Sequence, residues 1–371
     1  MIYLDHAATT PVRGEVLEAM LPYFTQRFSN ASSGYASARD ARSAIDHARS
    51  EISASIGAKP GEIYFTSGGS ESDNWALMGL ASAHPQKKHI ITTRIEHHAV
   101  LNSCRALEKQ GYVITYLDVD GLGRVNAESL ERAIRPDTLV VSVMLANNEV
   151  GTIEPVAEIS RIVHAYNVYM HTDAVQAVGH IPVNVDELGV DLLSISAHKF
   201  GGPKGCGTLY VRSGVRIDNL IYGGAQERTL RAGTENVPAI VGMGKALALS
   251  TQDMAAEMAK ISSLRDELQA RLVRLGGVRI NGDCQNRLPG HLHVTIDRAN
   301  TQLLLMQLDM AGIAVSAGSA CSSGAAERSH VIEAMGLAGE SQADIRFSLG
   351  VDNTIDEIAA VDHAMRRILK R

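Results

Sequence analysis

Several features that would narrow the class of this chain at once are missing from it. Its 371 residues hold only four cysteines, Cys104, Cys206, Cys284 and Cys321. They lie far apart and form no C-x-x-C pair, which argues against both a zinc site and a disulfide framework. Each is then either a small core hydrophobe or a reactive thiol. No uninterrupted apolar run approaches the roughly 20 residues of a membrane span, and the opening MIYLDHAATT has neither a basic n-region nor an apolar h-region. A cytoplasmic protein with no membrane partner is expected. Charge of one sign is not concentrated either. The formal net charge is −6, and direct binding of nucleic acid is not expected. Arg366, Arg367, Lys370 and Arg371 form the one basic cluster, on a helical pattern through Ile358, Val361, Met365 and Leu369 that reads as the solvated face of a last helix. There is no internal repeat and no low-complexity segment.

What is present is ordinary globular material, 45% hydrophobic and 20% charged, long enough for one large domain and a smaller one. From Glu15 to about Gln252 helix and strand patterns alternate. Helical periodicity runs through Ile45, Ile52 and Ile56 and again after Ser70-Glu71, and Val156 to Tyr166 also reads as a helix. Strands are expected at His89 to Ile95, Tyr112 to Leu117, Leu139 to Leu145, Val168 to Thr172, Leu192 to Ser196 and Thr208 to Val211. That alternation predicts an α/β fold with a mostly parallel sheet and helices on both faces. Beyond the helix of Leu264, Leu268 and Leu272 the rhythm changes. Short strands at Val278 to Ile280, His291 to Ile296, Ile313 to Val315 and Ile345 to Leu349 predict a smaller α+β domain, formed by residues 256–371 together with 1–11, beside a large domain of residues 12–255.

The chemistry is organised around Leu192–Gly207, LLSISAHKFGGPKGCG. An apolar run there ends in Ser196-Ala197-His198-Lys199 and breaks at Gly201, Gly202 and Pro203, so Lys199 stands where a buried strand stops. Open α/β sheets keep their chemistry at that point. An amine walled by apolar and small residues can lose charge to desolvation and serve as nucleophile or base. Upstream, Thr66-Ser67-Gly68-Gly69-Ser70-Glu71 puts glycines and hydroxyls just before a helix, a backbone N–H cup suited to a phosphate ester. His97 follows a strand and could stack on an aromatic cofactor. Asn147-Asn148-Glu149 ends the apolar strand TLVVSVMLA, where a carboxamide can bond a ligand oxygen or form a turn. Asp173, in HTDAVQ, would need a cationic partner at a buried strand terminus. A protonated pyridine nitrogen would be one.

A phosphate cup, a stacking histidine, an aspartate after one strand and a lysine after another together make up the inventory of a pyridoxal 5'-phosphate (PLP) site. The stretches YLDHAATT (3–10), FTSGGSESDN (65–74), EHHAVL (96–101), NNEVGTIEP (147–155), HTDAVQAVG (171–179), SAHKFGGPKG (196–205), GTENVPAIVGMG (233–244), SAGSACSSG (316–324) and IRFSLG (345–350) span nearly the whole chain. On them the sequence resembles the class V aminotransferase-like, fold-type I PLP enzymes, and among these the NifS/IscS-type cysteine desulfurases. The resemblance implies that Lys199 is the Schiff-base lysine and Asp173 the partner of the pyridinium nitrogen. It implies that Gln176 and Asn148 bond the ring hydroxyl, that His97 stacks on the ring, and that the Gly69 backbone, Ser70, Ser196 and His198 hold the phosphate. Thr234, in Arg231-Ala232-Gly233-Thr234, would reach the phosphate of a partner subunit, which implies a homodimer with shared active sites. Arg346 would pair with the carboxylate of L-cysteine, a task suited to a planar two-pronged donor, with Asn30 on the same side.

Cys321 takes the remaining role. Its small, loop-like surroundings, Ala317-Gly318-Ser319-Ala320-Cys321-Ser322-Ser323-Gly324, offer no periodic apolar neighbours to bury a thiol. The resemblance makes it the persulfide carrier, which passes sulfur to a protein acceptor, a scaffold or sulfur carrier, for iron–sulfur cluster assembly or another thiolation. Two departures from the family pattern stand out: N-P-S-S-x-H reads Asn30-Ala31-Ser32-Ser33-Gly34-Tyr35, and Gly69-Ser70 stands where Ala-Thr is common. A selenocysteine lyase and a catalytically inert assembly scaffold are the alternatives.

Overall fold

Short runs of β-branched and apolar residues form the centre of the molecule. The computed structural model describes residues 1–318, 328–339 and 341–370. Its strands in chain order are β1 (Ile2–Tyr3), β2 (Ile63–Thr66), β3 (His89–Thr93), β4 (Val113–Leu117), β5 (Thr138–Ser142), β6 (Tyr169–Asp173), β7 (Leu192–Ser196), β8 (Gly207–Val211), β9 (Val278–Asn281), β10 (His291–Asp297), β11 (Ile313–Ala314) and β12 (Gln342–Ser348). Seven of them make one sheet in the order β2-β8-β7-β6-β5-β3-β4. Every residue of β3, β5, β7 and β8 is buried, as strands covered on both faces must be. The sheet is parallel except for β8, which runs against both β7 and β2.

The expected mostly parallel α/β sheet is therefore observed, with three differences in detail. β2 was not among the expected strands; it is four residues long and half hidden between Pro60-Gly61 and Gly68, too short for a periodicity to register. The reversal at β8 follows from the connection: Ala197–Cys206 contains one 3₁₀ turn and no crossover helix, so the chain folds straight back. β3 also stops at Thr93 rather than Ile95, because the Thr93 hydroxyl turns to donate to Glu96 at 2.8 Å.

Helices cover both faces. Gly69–Ala83 packs Trp75, Leu77 and Leu80 against β7 and β8 and against the helix His98–Glu108. On the other side Ala36–Ser55 lies along Val237–Gln252. Gly244 permits that approach, since a Cβ there would sit 2.8 Å from the Ala48 Cα. A second apolar cluster gathers Leu268, Leu272, Leu292, Val294, Ile345, Phe347, Ile358, Val361 and Met365 around the antiparallel sheet β12-β10-β9. The N-terminus joins this cluster: Leu4 is buried in it, and β1 pairs in parallel with β11, Ile2 opposite Ile313.

One ion pair in the large core is nearly dry. Arg49 grips Glu227 with two bonds of 2.8 Å and also donates to the Ile63 carbonyl at 2.6 Å, while Glu227 accepts the Phe65 N–H at 3.0 Å. Removing Arg49 strands the buried charge of Glu227, while the Ile63 carbonyl keeps a bond from Arg228 at 2.7 Å. Arg49→Ala is expected to cost about 3–5 kcal/mol of unfolding free energy in urea. A midpoint equal to that of the parent protein would contradict this.

Candidate active site

The carboxyl ends of the parallel strands all open on one side, and the side chains beyond them line one cavity of about 210 Å³. β2 leads to Gly69 and Ser70, β3 to His97, β5 to Asn148, β6 to Asp173 and Gln176, and β7 to Ser196, His198 and Lys199. Arg346 arrives from β12, and Ala7 and Ala8 close the cavity from the N-terminal segment. Ten of the residues named from sequence are thus brought together. Asn30 and Thr234 are not: both are exposed and neither lines the cavity. The Asn30 carboxamide turns back to accept the Ser32 N–H at 2.8 Å. Cys321 lies outside the described residues.

Each lining group is held by local geometry. Lys199 sits in the 3₁₀ turn after β7, its Nζ donating to the carbonyls of Ala7 at 2.5 Å and Ala8 at 2.9 Å. Asp173, the last residue of β6, accepts the Val175 N–H at 2.9 Å. His97 caps its helix by accepting the Ala99 N–H on Nδ1 at 3.1 Å, which puts the proton of the neutral ring on Nε2. Gly68 has φ 151°, and the helix behind it begins with backbone N–H groups and no side-chain cap. Gly69 is required here: a Cβ would come within 2.7 Å of Val175 Cγ2, which accounts for glycine where the family often has alanine. Gln176 donates to Ala7 O at 2.9 Å, and His198 Nδ1 meets the Thr9 hydroxyl at 3.1 Å. Arg346 is buried, with Nη2 on Asp5 at 2.8 Å, Nη1 on the Asn148 carbonyl at 2.9 Å and a buried Nε that has no partner among the described residues.

Sequence reasoning assigned no role to the N-terminal segment, although it supplies Asp5 and the two carbonyls that meet Lys199. It also passed over two buried carboxyls. Asp73, Asp173 and His97 bring ligand atoms within 4.8 Å of one another. Burial, then the charge of Asp173, pushes Asp73 well above the usual carboxylate range, although a bond from Ser194 opposes this. Burial likewise raises Asp173, while His97, the Val175 N–H and Lys199 pull it back. Burial lowers His97 against the pull of Asp173, and lowers His198 to about 4 with help from Lys199 and Lys204. Glu96, fully buried, is raised to about 8 by burial despite bonds from Met144 N–H and the Thr93 hydroxyl.

The donor set fits PLP. Asp173 can face a ring cation, the helix N-terminus at Gly69-Ser70 together with Ser196 can take a phosphate, and Lys199 lines the same cavity. A large α/β sheet carrying these groups at its strand ends defines a fold-type I PLP enzyme. Comparison with known proteins agrees. Residues 2–361 match the family described as Aminotransferase class-V. The chain is 50% identical over 373 residues to the cysteine desulfurase IscS of Dictyoglomus turgidum, covering 100% of this chain and 95% of the relative. It is also similar to a solved NifS-like protein at 39% identity and TM-score 0.94, covering 100% and 99% of the two chains. A structure of SspA in complex with cysteine matches at 35% identity and TM-score 0.83, over 95% of this chain and 100% of that one. The chain belongs to the class-V aminotransferase family, among its cysteine desulfurases.

The Glu96 shift has a consequence for stability. Its folded value of about 8 exceeds the unfolded 4.5, so the folded state holds the extra proton between those limits. That contribution is fully present below about pH 4.5 and is lost as pH rises through 8. Glu96→Gln keeps an acceptor for Thr93 and Met144 but does not titrate. Its unfolding free energy should gain on the parent protein by up to about 1.4 kcal/mol per pH unit from pH 5 to 8. A difference that stays constant across this range would refute the assignment.

Proposed function

We propose that this protein removes sulfur from L-cysteine with bound PLP, giving L-alanine and a persulfide on Cys321 that an acceptor protein takes up. The observation that carries the reading is the meeting of Lys199, Asp173, His97 and Arg346 on one cavity. Bound there, PLP supplies a carbonyl for amine exchange and an electron sink for the substrate carbon. Asp173 supplies the negative charge that keeps the ring nitrogen protonated. The helix N-terminus at Gly69-Ser70, with Ser196 and His198, takes the phosphate. Arg346 receives the substrate carboxylate, and its bond to Asp5 fixes the guanidinium plane. Lys199 removes the Cα proton once its amine is released. His97 carries its proton on Nε2, where it can exchange with the substrate thiol.

The thiolate of Cys321 then attacks the substrate sulfur. An S–S bond forms as the Cβ–S bond breaks, the electron pair stays with carbon, and protonation completes alanine. A thiol reductant or acceptor discharges the persulfide. The other cysteines are poor rivals for this role: Cys104 and Cys206 are buried, and burial pushes both thiols up to about 12. Cys284 is exposed but lines no part of the cavity.

Three further expectations belong to the same reading. Thr234, exposed beside the Arg231–Glu71 pair, serves the site of a second copy in a homodimer. Residues 1–11 and 256–371 form the smaller domain, a division supported by the separate apolar cluster that includes Leu4. No helix among the described residues is long and apolar enough to cross a membrane, and we place the protein in the cytoplasm.

With L-cysteine and a thiol reductant, the purified protein should release alanine and sulfide in equal amounts. Cys321→Ser should lower sulfide release at least about 100-fold while the visible cofactor band remains, and Cys284→Ser should match the parent. Undiminished turnover by Cys321→Ser would sink the persulfide assignment. A cofactor band without sulfide would shift the substrate to selenocysteine or another amino acid.

A further inference from the structure

Beyond β5 the chain makes a tight turn whose two outward side chains take different directions. Asn147 shapes it: its Oδ1 accepts the N–H groups of Glu149 at 2.9 Å and Val150 at 3.0 Å, and its Nδ2 donates to the Ile95 carbonyl at 3.0 Å. Gly151 closes the turn at φ 80°, donating its N–H to the Asn147 carbonyl at 3.0 Å. With the backbone fixed in this way, Asn148 lines the cavity and Glu149 is left fully buried beside it.

Glu149 meets two residues that are remote from it in sequence and flank Cys321. The Ser329 hydroxyl donates to Glu149 Oε2. That same hydroxyl accepts the Val331 N–H at 3.1 Å, which ties it to the start of the helix His330–Ala334. On the other flank Gly318 lies against the same carboxylate. A Cβ at Gly318 would be 2.6 Å from Glu149 Oε2, and its φ is 138°, so only glycine can pass there. Gly318 is itself held by the Ser316 hydroxyl, which donates to its carbonyl at 3.0 Å, and Ser316 pairs through its backbone with Arg346 of the cavity wall.

We propose that Glu149 is a positioning residue for sulfur transfer: its carboxylate binds Ser329 and packs against Gly318, the residues on either side of the segment carrying Cys321, beside the cavity. The proposal rests on the desulfurase reading. Cys321 is three residues from Gly318, so chain length alone keeps its Cα within about 10 Å of that anchor. Holding Gly318 and Ser329 beside the cavity raises the effective concentration of the Cys321 thiol at the substrate sulfur. Releasing a flank leaves the cofactor and Arg346 in place but lowers the frequency of productive approach.

The test uses the PLP-loaded enzyme. Glu149→Ala should keep the visible cofactor band, its change on adding L-cysteine, and KM within about threefold, while kcat for sulfide and alanine falls about 10–100-fold. Gly318→Ala and Ser329→Ala should show the same pattern, and Ser329→Ala keeps the proposal testable should the buried position not tolerate alanine. Glu149→Gln retains an acceptor oxygen for Ser329 and should keep most of the activity. Normal kcat in both Glu149→Ala and Ser329→Ala would overturn the proposal, as would a kcat loss that tracks loss of the cofactor band. Cys321→Ser run in parallel separates the two failures. If it still releases sulfide, the desulfurase reading fails; if it is inactive while Glu149→Ala is normal, only the positioning role fails.

Discussion

The structure depends on how much negative charge can be kept dry at the carboxyl ends of β3, β5 and β6. Asp73, Glu96 and Asp173 are all buried there, and Asp173 raises both of the others. Three ionised carboxylates in so small a volume would cost more than the surrounding core supplies. Burial resolves the conflict by pushing Glu96 and Asp73 towards their neutral forms. The remaining charge falls to Asp173, which alone of the three faces His97, Lys199 and the cavity together. A cation beside Asp173 would offset the same cost, so the electrostatics of the core favour a cationic ligand there.

The N-terminal segment makes the second large contribution. β1 belongs with β11, yet the residues after it cross to the large sheet: Asp5 anchors Arg346, Ala7 and Ala8 accept from Lys199, and Thr10 both donates to the His198 carbonyl and accepts the Gly201 N–H. Hydrogen bonds of this segment therefore link the two apolar clusters at the site. Arg346, which reaches both Asp5 and the Asn148 carbonyl, is placed by this seam.

Much of this was legible in the sequence because the site lies where regular patterns stop. Lys199, Asp173 and His97 each follow an apolar run, and strand ends in an alternating α/β pattern are where ligands sit. The antiparallel β8 was legible only from the absence of a helix before it, and β2 was too short to signal. Asp5 was hidden for another reason. Its partner is 341 residues away in sequence, and no local period records such a contact. Glu96 and Asp73 look like surface residues of a helix start until the fold buries them near the carboxyl ends of the strands. Asn30 lies in the stretch that departs from the family pattern, and in this chain its carboxamide caps its own turn.

The central claim is that Lys199 is the residue joined to the cofactor. It is tested most directly by reducing the yellow protein with borohydride and mapping the peptides by mass spectrometry. The account predicts one pyridoxyl-phosphate adduct, on the peptide containing Lys199, and none after Lys199→Ala. An adduct on another lysine, or a protein that takes up no PLP, would contradict it.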